Sequence, residues 1–167
     1  DEVTKTNVNL HAEGLGANKN VNFVIDTSSF DVSVEYLTIN SGSGYHPDNI
    51  YVVMNAEVMG FSTSKDLEIK WYTELDKTTN TVTIKTKQPN GLMFTNRRSL
   101  DVFIPRTNIA SLKITTDGTV NVKQGFSKIQ KLDITSNSNQ ANNAMVYSPV
   151  GEFTLTSPNG SGNYEDF

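Results

Sequence analysis

Four side chains in this sequence have the chemistry to hold a ligand. Tyr45 and His46 lie in the glycine-rich run "GSGYHPDN", and Tyr72 and Glu74 lie in the run "LEIKWYTELD". An aromatic ring beside a hydrogen-bonding carboxylate or imidazole is the kind of surface that binds a sugar or a peptide. We therefore predict binding at these four residues. The alternative interpretation is an exposed tyrosine on a strand and an ordinary loop.

The sequence predicts no catalytic centre. It contains no cysteine, which removes thiolate nucleophiles, and no G-x-S-x-G motif accompanies His11 or His46. The acids of the repeated segments described below are Asp117, Asp133 and Glu152, which occupy different positions within the repeat. Stacking the repeats therefore does not gather carboxylates as glycan-cleaving enzymes require. We predict that the protein is not an enzyme.

Metal and cofactor sites are not predicted either. Glu68, Glu74 and Asp76 are close enough in sequence to collect calcium, but the neighbouring lysines indicate neutralised ion pairs instead. No D-x-D-x-D-G loop and no G-G-x-G-x-D repeat accompanies them. We expect the protein to function with neither a metal nor a cofactor.

The C-terminal third of the sequence repeats one pattern three times. The segment "IASLKITTDG" begins at residue 109, "IQKLDITSNS" at residue 129 and "VGEFTLTSPNG" at residue 150. Each has an apolar residue, two others, and then apolar-x-apolar-x-Ser/Thr; "VEYLTINSGSG", from Val34, is a fourth copy upstream. Short strands repeating about every 20 to 30 residues are typical of β-solenoids. The pattern predicts that Leu112, Leu132 and Phe153 stack in one inner column.

The first hundred residues read as strands without a strict period. Residues 67–88 predict a β-hairpin across "KTTN", with Trp71 and Leu75 on the apolar face and Tyr72 and Glu74 on the polar face. No segment has a convincing period of about 3.6 residues, so we expect little helix. We predict a single all-β domain, 1–167, with an irregular, partly antiparallel cap over 1–100. Parallel β-solenoid coils of about 20 residues follow over 101–167. A β-sandwich with similar strands is the alternative.

Composition and charge narrow the choice of partners. The net charge of −4 opposes binding to a phosphate backbone, and we interpret the basic pair Arg97–Arg98 as part of a solvated loop. No apolar run approaches the roughly 20 residues of a transmembrane helix. Asn, Thr and Ser make up about a third of the chain, which favours strands and turns over helices. We predict no nucleic-acid partner and no transmembrane segment in this chain.

One stretch carries a family resemblance. In "LDVFIPRTNIASLKITTDGTVNV", Pro105 closes a strand before an L-x-I-x-T-x-x-G-x-V-x-V unit. This resembles the β-solenoid domains grouped as adhesins, among them head domains of autotransporter adhesins, over roughly residues 50–160. The resemblance implies a right-handed solenoid, a role at the cell surface or bacterial envelope, and no established catalytic residues.

These observations together predict a non-enzymatic, adhesin-like scaffold. It would be extracellular or on the cell surface, presenting a polar Ser/Thr/Asn face to a protein or a glycan. One alternative is a glycan-binding or glycan-active protein, and another is an envelope stress or assembly protein. Because an uncovered last coil leaves an edge open to pairing, we also expect further coils after Phe167.

Overall fold

A computed structural model describes residues 7–16, 19–30, 32, 50–59, 71–86, 94–140, 142–157 and 162–164. These residues form β-strands and no helix. The strands are β1 (Asn7–Glu13), β2 (Val21–Asp26), β3 (Tyr51–Met59), β4 (Trp71–Asp76), β5 (Thr81–Thr86), β6 (Phe94–Pro105), β7 (Asn108–Thr116), β8 (Thr119–Val122), β9 (Lys128–Ser136), β10 (Ala144–Val146), β11 (Val150–Thr156) and β12 (Gly162–Tyr164). The prediction of an all-β chain is confirmed for this part of the molecule.

The strands form two six-stranded sheets. The first sheet has the order β12-β10-β8-β1-β6-β3, and the second has the order β11-β9-β7-β2-β5-β4. From β7 onwards, successive strands alternate between the two sheets, and neighbours within a sheet pair in parallel. β1 and β2 instead pair antiparallel with both of their neighbours. Both sheets are therefore mixed.

The predicted column of repeated side chains is present in the second sheet. Leu112 is the register partner of Leu132, which is in turn the partner of Phe153. Ile114, Ile134 and Leu155 form the next column in the same way. The fold as a whole nevertheless fits the sandwich-like alternative, because the antiparallel strands β1 and β2 continue each sheet beyond its parallel part.

Alternating apolar residues build a core shared by both sheets. Leu112, Ile114 and Ile134 in the second sheet belong to the same buried cluster as Leu10 and Val102 in the first. Each such side chain contributes roughly 1.5–3 kcal/mol when fully buried. The Thr and Ser that end the first two repeats each bond to the turn that follows: Thr116 Oγ1 accepts a hydrogen bond from the backbone amide of Gly118 (3.0 Å), and Ser136 Oγ accepts one from the backbone amide of Ser138 (3.3 Å). The upstream copy, from Val34, lies outside the described residues.

The β4–β5 hairpin has the faces that the sequence predicts. Leu75 and Val82 are register partners, and Trp71 and Leu75 are partly buried against the core. Tyr72 and Glu74 are exposed on the opposite face, which is the outer face of the second sheet. The tryptophan is therefore a packing residue, as predicted.

Arg98 corrects the prediction of a solvated basic loop. It lies in β6 and is only 1% exposed. Its Nε donates to the carbonyl oxygen of Leu15 (2.9 Å), and its Nη2 donates to the Lys19 carbonyl and to Asn20 Oδ1 (3.3 Å). Burial lowers the pKa of Arg98 from its ordinary value, although a guanidinium stays charged in proteins. The side chain thus anchors the segment that leads into β2.

Candidate functional site

Two of the four predicted binding residues can be placed. Tyr72 and Glu74 are on β4, an edge strand of the second sheet; Tyr45 and His46 lie outside the described residues. Of the large apolar side chains that the structure describes, only Tyr72 is exposed, with 48% of its surface accessible. An exposed aromatic ring that the core does not require is a candidate for binding a ligand.

Tyr72 lies in an open groove of about 550 Å³ on the outer face of the second sheet. The volume is within the range of small-molecule sites. Eight residues from four neighbouring strands and the segments next to them line the groove: Asn20, Val21, Asn22, Tyr72, Lys85, Thr86, Thr115 and Asp117. Glu74 is not among the lining residues, so the structure does not join it to Tyr72 in one site.

Strand pairing explains why these distant residues meet. Tyr72 is the register partner of Lys85, Lys85 of Asn22, and Asn22 of Thr115. Side chains on paired residues of adjacent strands point to the same face. The four side chains therefore form one row across β4, β5, β2 and β7.

The Lys85 ammonium is held against the tyrosine. Its Nζ lies 5.4 Å from the centroid of the Tyr72 ring, a cation–π contact that contributes about 0.5–1 kcal/mol at an exposed site. The contact restrains both long side chains, so these side chains lose less entropy when a ligand binds. Lys85 is the cation among the residues that line the groove.

One wall of the groove is a network around Asp117. Its Oδ2 accepts a hydrogen bond from the backbone amide of Asn20 (2.8 Å), and its Oδ1 accepts one from the side-chain Nδ2 of Asn137 (3.2 Å). Asn20 Oδ1 accepts from Thr86 Oγ1 (2.8 Å) as well as from Arg98. Through Asn20, these hydrogen bonds connect the wall of the groove to the buried residues Thr86 and Arg98. Each carboxylate oxygen keeps a further lone pair for a ligand hydroxyl.

Asn22, in the middle of the row, has an unsatisfied acceptor. Its Oδ1 is enclosed and has no hydrogen-bond partner among the described residues. An unmade hydrogen bond of this kind costs about 1–3 kcal/mol. A ligand hydroxyl that donated to this oxygen would recover part of that cost.

The functional groups that line the groove are suited to binding a polar ligand. Its lining holds amides, hydroxyls, one carboxylate and one ammonium. His11 lies in the other sheet, where its Nδ1 is 2.6 Å from Asp101 Oδ1 and its Nε2 is 3.1 Å from Glu13 Oε2. Both imidazole nitrogens of His11 are therefore engaged with carboxylates rather than directed at a ligand.

The His11 cluster makes stability depend on pH. The hydrogen bond to Asp101 raises the pKa of His11 above its ordinary value, burial opposes the rise, and the hydrogen bond to Glu13 adds to it. A raised folded-state pKa stabilises the fold fully below the ordinary histidine pKa of about 6.5. This contribution is lost as the pH rises through the folded-state value.

We therefore expect the wild type to lose unfolding free energy relative to His11→Gln as the pH rises above the ordinary histidine pKa of about 6.5. Urea denaturation at a series of pH values measures this difference. Asp101→Asn serves as the second variant and should flatten the profile in the same way. Parallel profiles for the wild type and His11→Gln would contradict the assignment.

The His11 cluster joins one imidazole to two carboxylates by hydrogen bonds, but in the described ranges no group of three or more acidic or histidine side chains is arranged to hold a metal ion. The same ranges contain no helix with the length and apolarity needed to cross a membrane.

Glu74 could be recognised from the sequence, but it lies outside the groove lining. The sequence did not identify four residues that do line the groove: Asn20, Asn22, Thr115 and Asp117. Strand alternation places such polar residues on the outer face, but their pairing is not visible in the sequence.

Comparison with known proteins identifies no relative of this chain. No protein-family model, no curated protein and no solved structure matches this chain.

Proposed function

We propose that this protein is a non-catalytic carbohydrate-binding protein whose site is the groove beside Tyr72. The observation that carries the proposal is that the exposed tyrosine lies in a groove lined by amides and hydroxyls. A sugar presents an apolar face of C–H groups and a rim of hydroxyls. The ring of Tyr72 suits the first, and Asn22, Thr115 and Asp117 suit the second.

The charges of the groove support a sugar over a strongly charged ligand. Lys85 and Asp117 have opposite signs and lie in the same lining, so the lining as a whole has no net charge to attract a strongly charged ligand. Both are also committed to neighbours, Lys85 to the Tyr72 ring and Asp117 to Asn20 and Asn137. Hydroxyl groups, which donate and accept, can bind beside such groups without displacing them.

Binding to a panel of immobilised polysaccharides tests the proposal. Tyr72→Ala should weaken binding to any positive polysaccharide about tenfold or more, which corresponds to about 1.4 kcal/mol. Tyr72→Phe keeps the ring and should bind within about threefold of the wild type, since only the hydroxyl is lost.

Tyr147→Ala is the matched control, since Tyr147 lies outside the groove lining; binding should be unchanged in this variant. Circular dichroism checks that each variant is folded. Equal binding by the wild type and Tyr72→Ala would show that the groove is not the binding site.

A second candidate is a surface scaffold that displays a polar face to a protein. It is favoured by the in-register parallel pairing of β7, β9 and β11, which is how successive coils of a solenoid stack. On this proposal β7 to β12 form a short right-handed solenoid of the adhesin type, outside the cell or on a bacterial envelope.

The two candidates differ in how cells bind the labelled protein. Periodate treatment of the cells destroys sugars and should abolish binding if the partner is a glycan. Protease treatment should abolish it if the partner is a protein, which includes the partners of an envelope assembly factor.

A further inference from the structure

We infer that the ligand is an extended, uncharged polysaccharide that lies across the strands of the second sheet. This inference rests on the proposed function and adds the class of sugar and its direction. The row of side chains that contains Tyr72 is longer than the groove. The groove ends at Thr115, but the row continues.

The row crosses all six strands of the sheet. Thr115 is the register partner of Thr135, and Thr135 is the partner of Thr156. From β4 to β11 the binding row, as we name it, is Tyr72, Lys85, Asn22, Thr115, Thr135 and Thr156. Five spacings of about 4.8 Å between neighbouring strands make it about 24 Å long. A surface of that length holds several sugar units in a line.

The chemistry of the binding row changes along its length. The aromatic ring stands at the β4 end, and three threonines stand at the β11 end. Thr115 and Thr135 are half-buried, and Thr156 is exposed. Their hydroxyls repeat at the strand spacing and both donate and accept hydrogen bonds. Such a line matches a polymer that offers hydroxyls at regular intervals.

The next row on the same face shows why the chain should follow the binding row. It contains Glu74, Thr83, Val24, Lys113, Asp133 and Thr154 in the order of the strands. Lys113 and Asp133 are register partners of opposite charge, and they are strongly hydrated groups. Thr115 and Thr135, at the same strands in the binding row, carry no charge. An uncharged polymer loses less hydration energy over the threonines.

Oligosaccharides of increasing length test the inference. The probes are cello-, xylo- and manno-oligosaccharides from the disaccharide to the hexasaccharide, with oligogalacturonate as the acidic comparison. We expect affinity for one neutral series to rise about tenfold or more from disaccharide to hexasaccharide. The acidic series should bind more weakly at every length.

Threonine-to-valine variants locate the path, because valine keeps the shape and removes the hydroxyl. The double variant Thr135→Val/Thr156→Val should reduce hexasaccharide affinity about fivefold or more and leave disaccharide affinity unchanged. Thr154→Val is the matched control on the same strand, one row away, and should bind like the wild type.

The possible outcomes separate this inference from the proposed function. Equal affinity for disaccharide and hexasaccharide, or equal losses in Thr154→Val and the double variant, would overturn the inference. Preference for oligogalacturonate would overturn it as well. In each case a loss of binding in Tyr72→Ala would still support a sugar site in the groove. Unchanged binding in Tyr72→Ala would instead contradict the proposed function itself.

Discussion

Gly118→Ala is expected to lower the free energy of unfolding by about 3 kcal/mol. Gly118 lies in the turn between β7 and β8, where the chain passes from the second sheet to the first. A Cβ at this residue would be 2.0 Å from the carbonyl oxygen of Glu13 and 3.1 Å from the carbonyl carbon of Gly14. Both are backbone atoms, so no side-chain rotation relieves the clash. The β1–β8 pairing, which includes Glu13 and Thr119, has to shift.

Chemical denaturation of the wild type and Gly118→Ala measures this effect. Thr119→Ala, at the next residue, is the control and should cost less than about 1 kcal/mol, because the Thr119 side chain points away from the core. A loss in Gly118→Ala no larger than that of Thr119→Ala would mean that β1 does not approach the turn as described. The same variant should also disturb Asp117, so weaker sugar binding is the second readout.

The register of the parallel strands can be predicted from the sequence, but the positions of the antiparallel strands β1 and β2 in the two sheets cannot. Leu112, Leu132 and Phe153 align because each successive parallel strand repeats the same pattern at the same depth. β1 and β2 contain the same alternation of apolar and polar residues, and that alternation is compatible with a neighbour in either direction. The sequence therefore predicted a partly antiparallel cap followed by separate parallel coils, whereas β1 and β2 extend the two sheets that contain the parallel strands.

The groove could be predicted from the sequence only in part. Tyr72 is identifiable because alternation along one strand exposes it opposite Trp71. Asn20 and Asp117 bond to each other across 97 residues of sequence, and no local pattern indicates such a pair. Arg98 was misread for a related reason. A basic pair in a polar run is usually solvated, whereas here the backbone carbonyls of Leu15 and Lys19 supply the partners.

Leu132→Ala is expected to cost about 3 kcal/mol, with the range for such changes about 2–5 kcal/mol. Leu132 is 1% exposed and belongs to β9, the middle of three parallel strands. Its neighbours in the column are Leu112 on β7 and Phe153 on β11. Neighbouring strands restrain the backbone on both sides, so the cavity left by the lost atoms cannot collapse easily.

Leu155→Ala is the matched control for Leu132→Ala. Leu155 occupies the next column on the edge strand β11 and is half-buried, so it should cost about half as much in the same denaturation experiment. The double variant Leu112→Ala/Leu132→Ala should differ from the sum of its single variants by about 0.5 kcal/mol or more, because residues in contact share one cavity. Strict additivity together with equal costs for Leu132→Ala and Leu155→Ala would contradict the column. The parallel strands would then lack the shared interior that holds the β11 end of the binding row in line with Tyr72.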